Sequence, residues 1–154
     1  MIRLYDYPGF AEDSIKREVD IRLRNTDGRC EIMVKRKASD DNMARHEHSL
    51  KLVDTDLETA KQTLKALGYA KGLWMHRKKD VYQYQNVEWS LVEAPKKIFY
   101  FEAEQEVADA VDIKKAEKHL RAGAAILDLS VYTPDEYREF VAMLGREVNK
   151  VIEW

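Results

Sequence analysis

Glu18-Val19-Asp20-Ile21-Arg22-Leu23-Arg24-Asn25-Thr26-Asp27-Gly28-Arg29-Cys30-Glu31-Ile32-Met33-Val34-Lys35-Arg36-Lys37 is the stretch on which the fold turns. Strand side chains alternate between two faces, so in a strand over Arg17 to Asn25 the residues Val19, Ile21 and Leu23 point one way. Glu18, Asp20, Arg22 and Arg24 point the other way. Asn25-Thr26-Asp27-Gly28 carries the Asp-Gly hairpin signal. Glu31 to Lys37 then reads as the returning strand, with Ile32 and Val34 opposing Met33, Lys35 and Lys37. This is a hairpin with one oily face and one charged face.

Outward from the hairpin the same pattern recurs. Ala38 to Asn42 is polar and loop-like, and His46 to Val53 alternates again with Leu50 and Leu52 on one face. A helix is expected from Asp56 to Leu67: Thr55 and Glu58 have capping-box spacing, Leu57, Ala60, Leu64 and Leu67 recur at helical intervals, and Gly68 can end it. Further strands are expected over Leu73–Val81, Gln85–Glu93 and Ile98–Val107, the last two joined by the turn Ala94-Pro95-Lys96-Lys97. The last third reads as helical, from about Ala108 to Ala122 and again from Pro134 to Ile152. Thr133 and Glu136 form a capping box for the second of these, and Tyr137, Phe140, Val141, Leu144, Val148 and Val151 form its apolar stripe. The order of elements predicts an α+β fold, a mainly antiparallel sheet with helices packed outside it.

Composition narrows the class. The chain has 154 residues, 45% hydrophobic and 35% charged, which suits a single domain over 1–154 with some charge inside it. Its 26 basic and 28 acidic residues give a formal net charge of −2, so no global field recruits nucleic acid or an anionic membrane, and any anion site is local. Cys30 is the only cysteine, which excludes an intrachain disulfide and a thiolate zinc site and points to a reducing, cytoplasmic setting. Met1 to Phe10 contains Arg3, Asp6 and Pro8, so it reads as neither a signal peptide nor a membrane span.

Charge on strand faces is the feature that points to chemistry. Arg22 and Arg24 share a face, as do Lys35 and Lys37, Arg77 and Lys79, and Glu102 and Glu104. An open sheet with one face in water produces this pattern, and so does a closed barrel with a polar lumen. Taken singly, each basic pair reads as a solvated face. Apolar runs beside the charges, Ile98-Phe99-Tyr100-Phe101 and Val87-Glu88-Trp89-Ser90-Leu91, favour the lumen. There, cations would saturate the oxygens of a polyanion, and the carboxylates would hold a hard cation such as Mg2+ or Mn2+.

At this set the chain resembles the CYTH family, which unites class IV adenylate cyclases with thiamine triphosphatases among the triphosphate tunnel enzymes. Tyr5-Asp6-Tyr7-Pro8 resembles its tyrosine-aspartate-proline strand end, Ile21-Arg22-Leu23-Arg24 its arginine-x-arginine strand, and Ile32-Met33-Val34-Lys35 the strand ending in lysine. Arg45-His46-Glu47 resembles the start of the next strand, and Leu64 to Gly68 the helix ending in leucine-glycine. Arg77-Lys78-Lys79-Asp80-Val81-Tyr82 is similar to the basic strand, and Phe101-Glu102-Ala103-Glu104 to the acidic pair. The matches run in one order from about Tyr5 to Val107.

The resemblance implies a triphosphate-tunnel β-barrel. Arg22, Arg24, Lys35, Arg77 and Lys79 would hold phosphates, Glu47, Glu102 and Glu104 would face the tunnel as metal ligands, and Glu102 and Glu104 would serve catalysis. The implied activity is metal-dependent hydrolysis of inorganic triphosphate or a small organic triphosphate, with a class IV cyclase or a non-catalytic phosphate-binding module as alternatives. A triphosphate-containing small molecule is the expected partner, no membrane is, and a homodimer is compatible. Two departures stand out. The family's glutamate-x-glutamate-x-lysine strand is not found before Tyr5, which would leave the barrel incomplete, and Val92 stands where an aspartate often follows serine-leucine. Glu18-Val19-Asp20-Ile21-Arg22 has similar spacing but belongs to the arginine-x-arginine strand.

Other residues read as structural. His46, His48, His76 and His119 lack the paired helical spacing of a zinc protease site. Cys30 has no partner base and reads as a small core or edge residue. Trp74 and Trp89 read as core or barrel wall, and Lys114, Lys115 and Lys118 as a solvated helix face.

Overall fold

A computed structural model of the chain describes residues 1–39, 44–108 and 110–154. Two compact units are present: Met1–Met75 with Arg138–Trp154, and His76–Tyr137.

The first unit is built on a six-stranded antiparallel sheet. Its strands are β1 (Ile2–Leu4), β2 (Val19–Thr26), β3 (Arg29–Lys37), β4 (Arg45–Leu52), β5 (Lys71–Trp74) and β9 (Lys150–Glu153), in the order β4-β3-β2-β1-β5-β9. The hairpin expected from Asp27-Gly28 joins β2 to β3. Thr26 pairs with Arg29, and the two loop residues both take positive φ, 50° and 84°, which a type I′ turn demands and glycine tolerates without strain. The loop expected over Ala38 to Asn42 falls outside the described residues from position 40.

Register sorts the side chains into two faces, since directly paired residues of an antiparallel ladder point the same way. Ile2, Leu4 and Leu23 are fully buried on one face, joined by Tyr7, Ala60 and Leu64. Ala60 and Leu64 belong to α1 (Leu57–Ala66), whose apolar stripe closes this core as expected. Asp56 caps α1 rather than the Thr55–Glu58 box. The Asp56 carboxylate accepts from Thr59 N at 2.7 Å, and a carboxylate one residue nearer the helix is the better-placed acceptor. Cys30 and Trp74 lie on this face, Cys30 buried and Trp74 packed on the core, in keeping with their structural reading.

The second unit is smaller. β6 (Lys78–Tyr84), β7 (Val87–Ala94) and β8 (Ile98–Glu104) form a three-stranded antiparallel sheet, and α2 (Ile113–Ile126) buries Ala116, Gly123 and Ala124. Val87, Trp89 and Ala124 form its core, with Phe101 and Leu120 packed on them. The helix expected from about Ala108 thus begins later, and residue 109 lies outside the described set. α3 (Pro134–Glu147) starts here and passes into the first unit at Arg138. Its expected cap is in place: Thr133 N donates to Glu136 at 2.8 Å and Glu136 N to Thr133 Oγ1 at 3.3 Å. Leu144 is buried.

Two expected boundaries need correction. The strand expected over Leu73–Val81 is two strands, because β5 has partners on both sides only while β1 and β9 last, and β6 pairs with β7 instead. The final helix ends at Glu147, not Ile152, because Val151 and Ile152 pair with Leu73 and Gly72, and a waiting sheet edge outweighs helix propensity. Two strands, β1 and β9, were not anticipated. A closed barrel is not found: among the described residues no ladder joins β4 to β9 or β6 to β8, so neither sheet closes on itself. No described helix is long and apolar enough to cross a membrane.

Gly72 permits the close approach of β1 and β5. A Cβ there would lie 2.5 Å from the Arg3 carbonyl oxygen and 2.7 Å from Ile2 Cγ2. Neither neighbour can yield, since one is backbone and the other a buried core methyl. Gly72→Ala should therefore destabilise the first unit by about 1–3 kcal/mol. Urea denaturation followed by tryptophan fluorescence would show it as a lowered midpoint.

Candidate functional site

β1, β2, β3 and β4 each place charge on the face opposite the apolar core. Arg3 pairs with Arg22, Asp20 with Lys35, Arg24 with Glu31, Lys35 with Glu47 and Lys37 with Arg45, so all of these residues share that face. The parity expected for Arg22, Arg24 and Lys35 holds. Arg3, Asp20 and Arg45 join them, and the sequence reading did not nominate these three. A local signal existed for each, because Arg3 alternates with Ile2 and Leu4, Asp20 sits two residues before Arg22, and Arg45 precedes Glu47 by two.

Asp20 organises the set. Its carboxylate is 3% exposed; Oδ1 accepts from Arg3 Nε at 3.0 Å, and Oδ2 accepts from Arg22 Nε at 3.1 Å and Nη2 at 2.6 Å. The guanidinium nitrogens of Arg45 and Arg17 stand 3.7 and 3.8 Å from the same Oδ2. Burial by itself would raise the Asp20 carboxyl, but attraction to Arg22 and Arg3 and the hydrogen bonds from Arg22 outweigh it and hold the group well below the usual carboxylate range. Arg3 is lowered to about 10, chiefly by burial with Asp20 opposing, and stays protonated at neutral pH. Burial also lowers Arg17.

Arg17 has a second duty. Its Nε donates to the Ala11 carbonyl at 2.7 Å and its Nη2 to the Glu12 carbonyl at 2.8 Å, while its guanidinium lies over the Phe10 ring. It therefore pins the loop leading into β2. Tyr7, in the segment that resembles a family strand end, donates from its hydroxyl to the Val19 carbonyl and accepts from Ile21 N, both at 3.0 Å. It satisfies the β2 backbone where short β1 does not reach.

The remaining nominated residues of this unit are ion-paired. Arg24 donates to Glu31, which also accepts from Ser49, and Lys35 donates to Glu47. The hydrogen bond from Arg24 is the main cause that lowers the Glu31 carboxyl. Glu47, expected as a metal ligand, thus faces a lysine ammonium.

In the second unit Lys79, Glu102 and Glu104 share one face of the three-stranded sheet, as expected, and Lys79 donates to Glu102. Arg77, just before β6, donates from Nε to the Tyr100 hydroxyl at 3.1 Å and from Nη1 to the His76 carbonyl at 2.6 Å. Burial raises the Tyr100 phenol, with Glu102 adding to the effect. Glu104 pairs across the ladder with Glu88. Of the histidines, His119 is hydrogen-bonded to Gln105 at 2.9 Å.

Among the described residues, no group of three or more histidine, cysteine, aspartate or glutamate side chains is placed to hold a metal ion. Glu47 and Glu102 each engage a lysine instead.

Asp20 makes the stability of the fold pH-dependent in a defined sense. Its folded-state pKa is depressed, so its contribution is complete above the unfolded value of about 3.9 and is lost as pH falls through the folded value. Asp20→Asn leaves the guanidiniums without their buried counterion and should cost about 3–5 kcal/mol at neutral pH. In urea titrations the gap between wild type and Asp20→Asn should be constant above about pH 5 and shrink below about pH 4.

No protein-family model and no curated protein matches the chain. Three solved structures are similar to it. The PH1012 protein from Pyrococcus horikoshii OT3 is 18% identical with a TM-score of 0.66, over 90% of this chain and 78% of that one. The conserved hypothetical protein Pfu-838710-001 from Pyrococcus furiosus is 18% identical with a TM-score of 0.68, over 90% and 79%. The PH1819 protein from Pyrococcus horikoshii OT3 is 20% identical with a TM-score of 0.60, over 80% and 72%. At these identities the likeness is one of fold.

Proposed function

We propose that this chain is a CYTH-like protein that binds the triphosphate group of a small molecule on the basic face of its six-stranded sheet. The observation that carries the reading is the gathering of Arg3, Arg22 and Arg45 about Asp20, with Lys35 and Arg24 on the same face. A solvated charged face would leave such side chains largely in water. Here Arg3 is 12% exposed, Arg22 16%, Arg45 15% and Lys35 12%, so these cations meet little solvent. Guanidinium groups held in such a place present fixed donors of the kind that match phosphate oxygens, and charge-assisted bonds gain strength where water is scarce.

Hydrolysis inside a barrel-shaped tunnel is the finer form of this reading. Supporting it are the family resemblance and the common face of Lys79, Glu102 and Glu104 in the second unit. The binding module is the form the geometry supports best, because Glu47 and Glu102, two of the three carboxylates named for metal, are each engaged by a lysine, and among the described residues no three such side chains gather to hold an ion.

Titration calorimetry with inorganic triphosphate, with and without magnesium, tests both. Arg22→Ala and Lys35→Ala should each weaken metal-free binding by about tenfold or more, as the loss of a charge-assisted hydrogen bond dictates. Glu47→Gln separates two roles. As the counterion of Lys35, Glu47 opposes the ligand, so its neutralisation should tighten metal-free binding; a loss of only the magnesium-dependent part would instead identify a metal ligand. Release of phosphate that needs magnesium and is lost in Glu102→Gln would establish the hydrolase. No binding by the folded wild-type protein would sink the whole reading.

A further inference from the structure

Asp20 is acidic and stands at the centre of a face whose proposed ligand is an anion. Simple charge counting makes it an obstacle. The ladder gives a different account, because Arg3 and Arg22 lie directly opposite one another on β1 and β2, where two like charges repel. Asp20 relieves the repulsion by accepting from both, one guanidinium on each carboxylate oxygen. Its Oδ2 also draws in Arg45, which belongs to β4 and reaches towards it from beyond β3. A carboxylate on β2 thereby orients guanidiniums carried by three strands.

Resting on the proposed function, we infer that Asp20 is a positioning residue for triphosphate binding: it sets the orientation in which Arg3, Arg22 and Arg45 meet phosphate oxygens. A free arginine side chain populates many rotamers, and binding to a set of unheld guanidiniums must supply their ordering anew. Asp20 is short and 3% exposed, so it has little freedom itself and can act as the fixed point. Its own charge repels the ligand, but its oxygens are already saturated by guanidinium donors, which reduces the field that an incoming phosphate meets. Positioning therefore outweighs repulsion at this site.

The two effects have opposite signs, which makes the test decisive. Binding of inorganic triphosphate without metal would be measured by calorimetry for wild type, Asp20→Asn and Asp20→Glu, each checked for folding by circular dichroism and urea titration. The inference expects Asp20→Asn to bind about tenfold more weakly although it removes a negative charge, with Asp20→Glu falling between it and wild type. Equal or tighter binding by folded Asp20→Asn overturns the inference and leaves the proposed function standing. Should Asp20→Asn fail to fold, Asp20→Glu, which keeps the counter-charge on a longer arm, decides alone: weaker binding supports positioning and unchanged or tighter binding overturns it. Formate added to a folded Asp20→Ala variant should restore affinity beyond what chloride does at equal ionic strength, a response that a purely structural role would not produce. Absence of binding by wild type would remove the proposed function and this inference together, a result distinct from a variant that binds too well.

Discussion

Arg3 and Arg22 face each other across the β1–β2 ladder, and two guanidiniums at that spacing can be kept together away from water only if a carboxylate stands between them. Asp20 is that carboxylate. Much of the first unit depends on this arrangement, because it lets β1 close against β2 with its charged side chain turned away from the apolar core. The same ladder that opposes Arg3 to Arg22 also sets Ile2 against Leu23, and both of these are fully buried. The core and the charged cluster are thus two faces of one register. A shift of one residue would put arginines into the oil and isoleucine among the ions.

The segment before β2 completes the arrangement rather than merely connecting it. Tyr7 supplies a hydroxyl to the β2 backbone beyond the end of β1, and the Gly9 carbonyl accepts from both Glu18 N and Val19 N. Arg17 holds the same loop through two carbonyls and leans on Asp20. Backbone groups that a three-residue strand leaves unpaired are in this way satisfied by a tyrosine and a glycine carbonyl. The residues that secure the loop and those that form the cationic cluster overlap at Arg17, so local order and site geometry are coupled.

The second unit repeats the principle on a smaller scale. Alternation along β7 turns Val87 and Trp89 to α2, while β6 and β8 bring Lys79, Glu102 and Glu104 to the other face. Trp89 and Phe101, on adjacent strands, lie 6.1 Å apart between ring centres and provide much of the packing. Lys79 and Glu102 form a pair here, as Lys35 and Glu47 do in the first unit, whereas several guanidiniums there share Asp20. Among the described residues, neither unit gathers three acidic, histidine or cysteine side chains placed to hold a metal ion.

Period-two alternation over Val19–Arg24 and Ile32–Lys37 was enough to divide oily from charged faces, and Asp27-Gly28 was enough to join the strands, because these are local properties of a chain with fixed chirality and pleat. The Thr133–Glu136 cap and the apolar stripe of α1 were legible for the same reason. Strands of three and four residues, β1 and β9, carry too few positions to show a period, and they exist because β2 and β5 offer them edges to pair with. The role of Asp20 was equally invisible: its polar parity could be read beside Arg22, but Arg3 lies 17 positions before it and Arg45 belongs to a strand two removed in the sheet. What a buried charge does is fixed by which charges surround it, and only the pairing of distant strands brings those together.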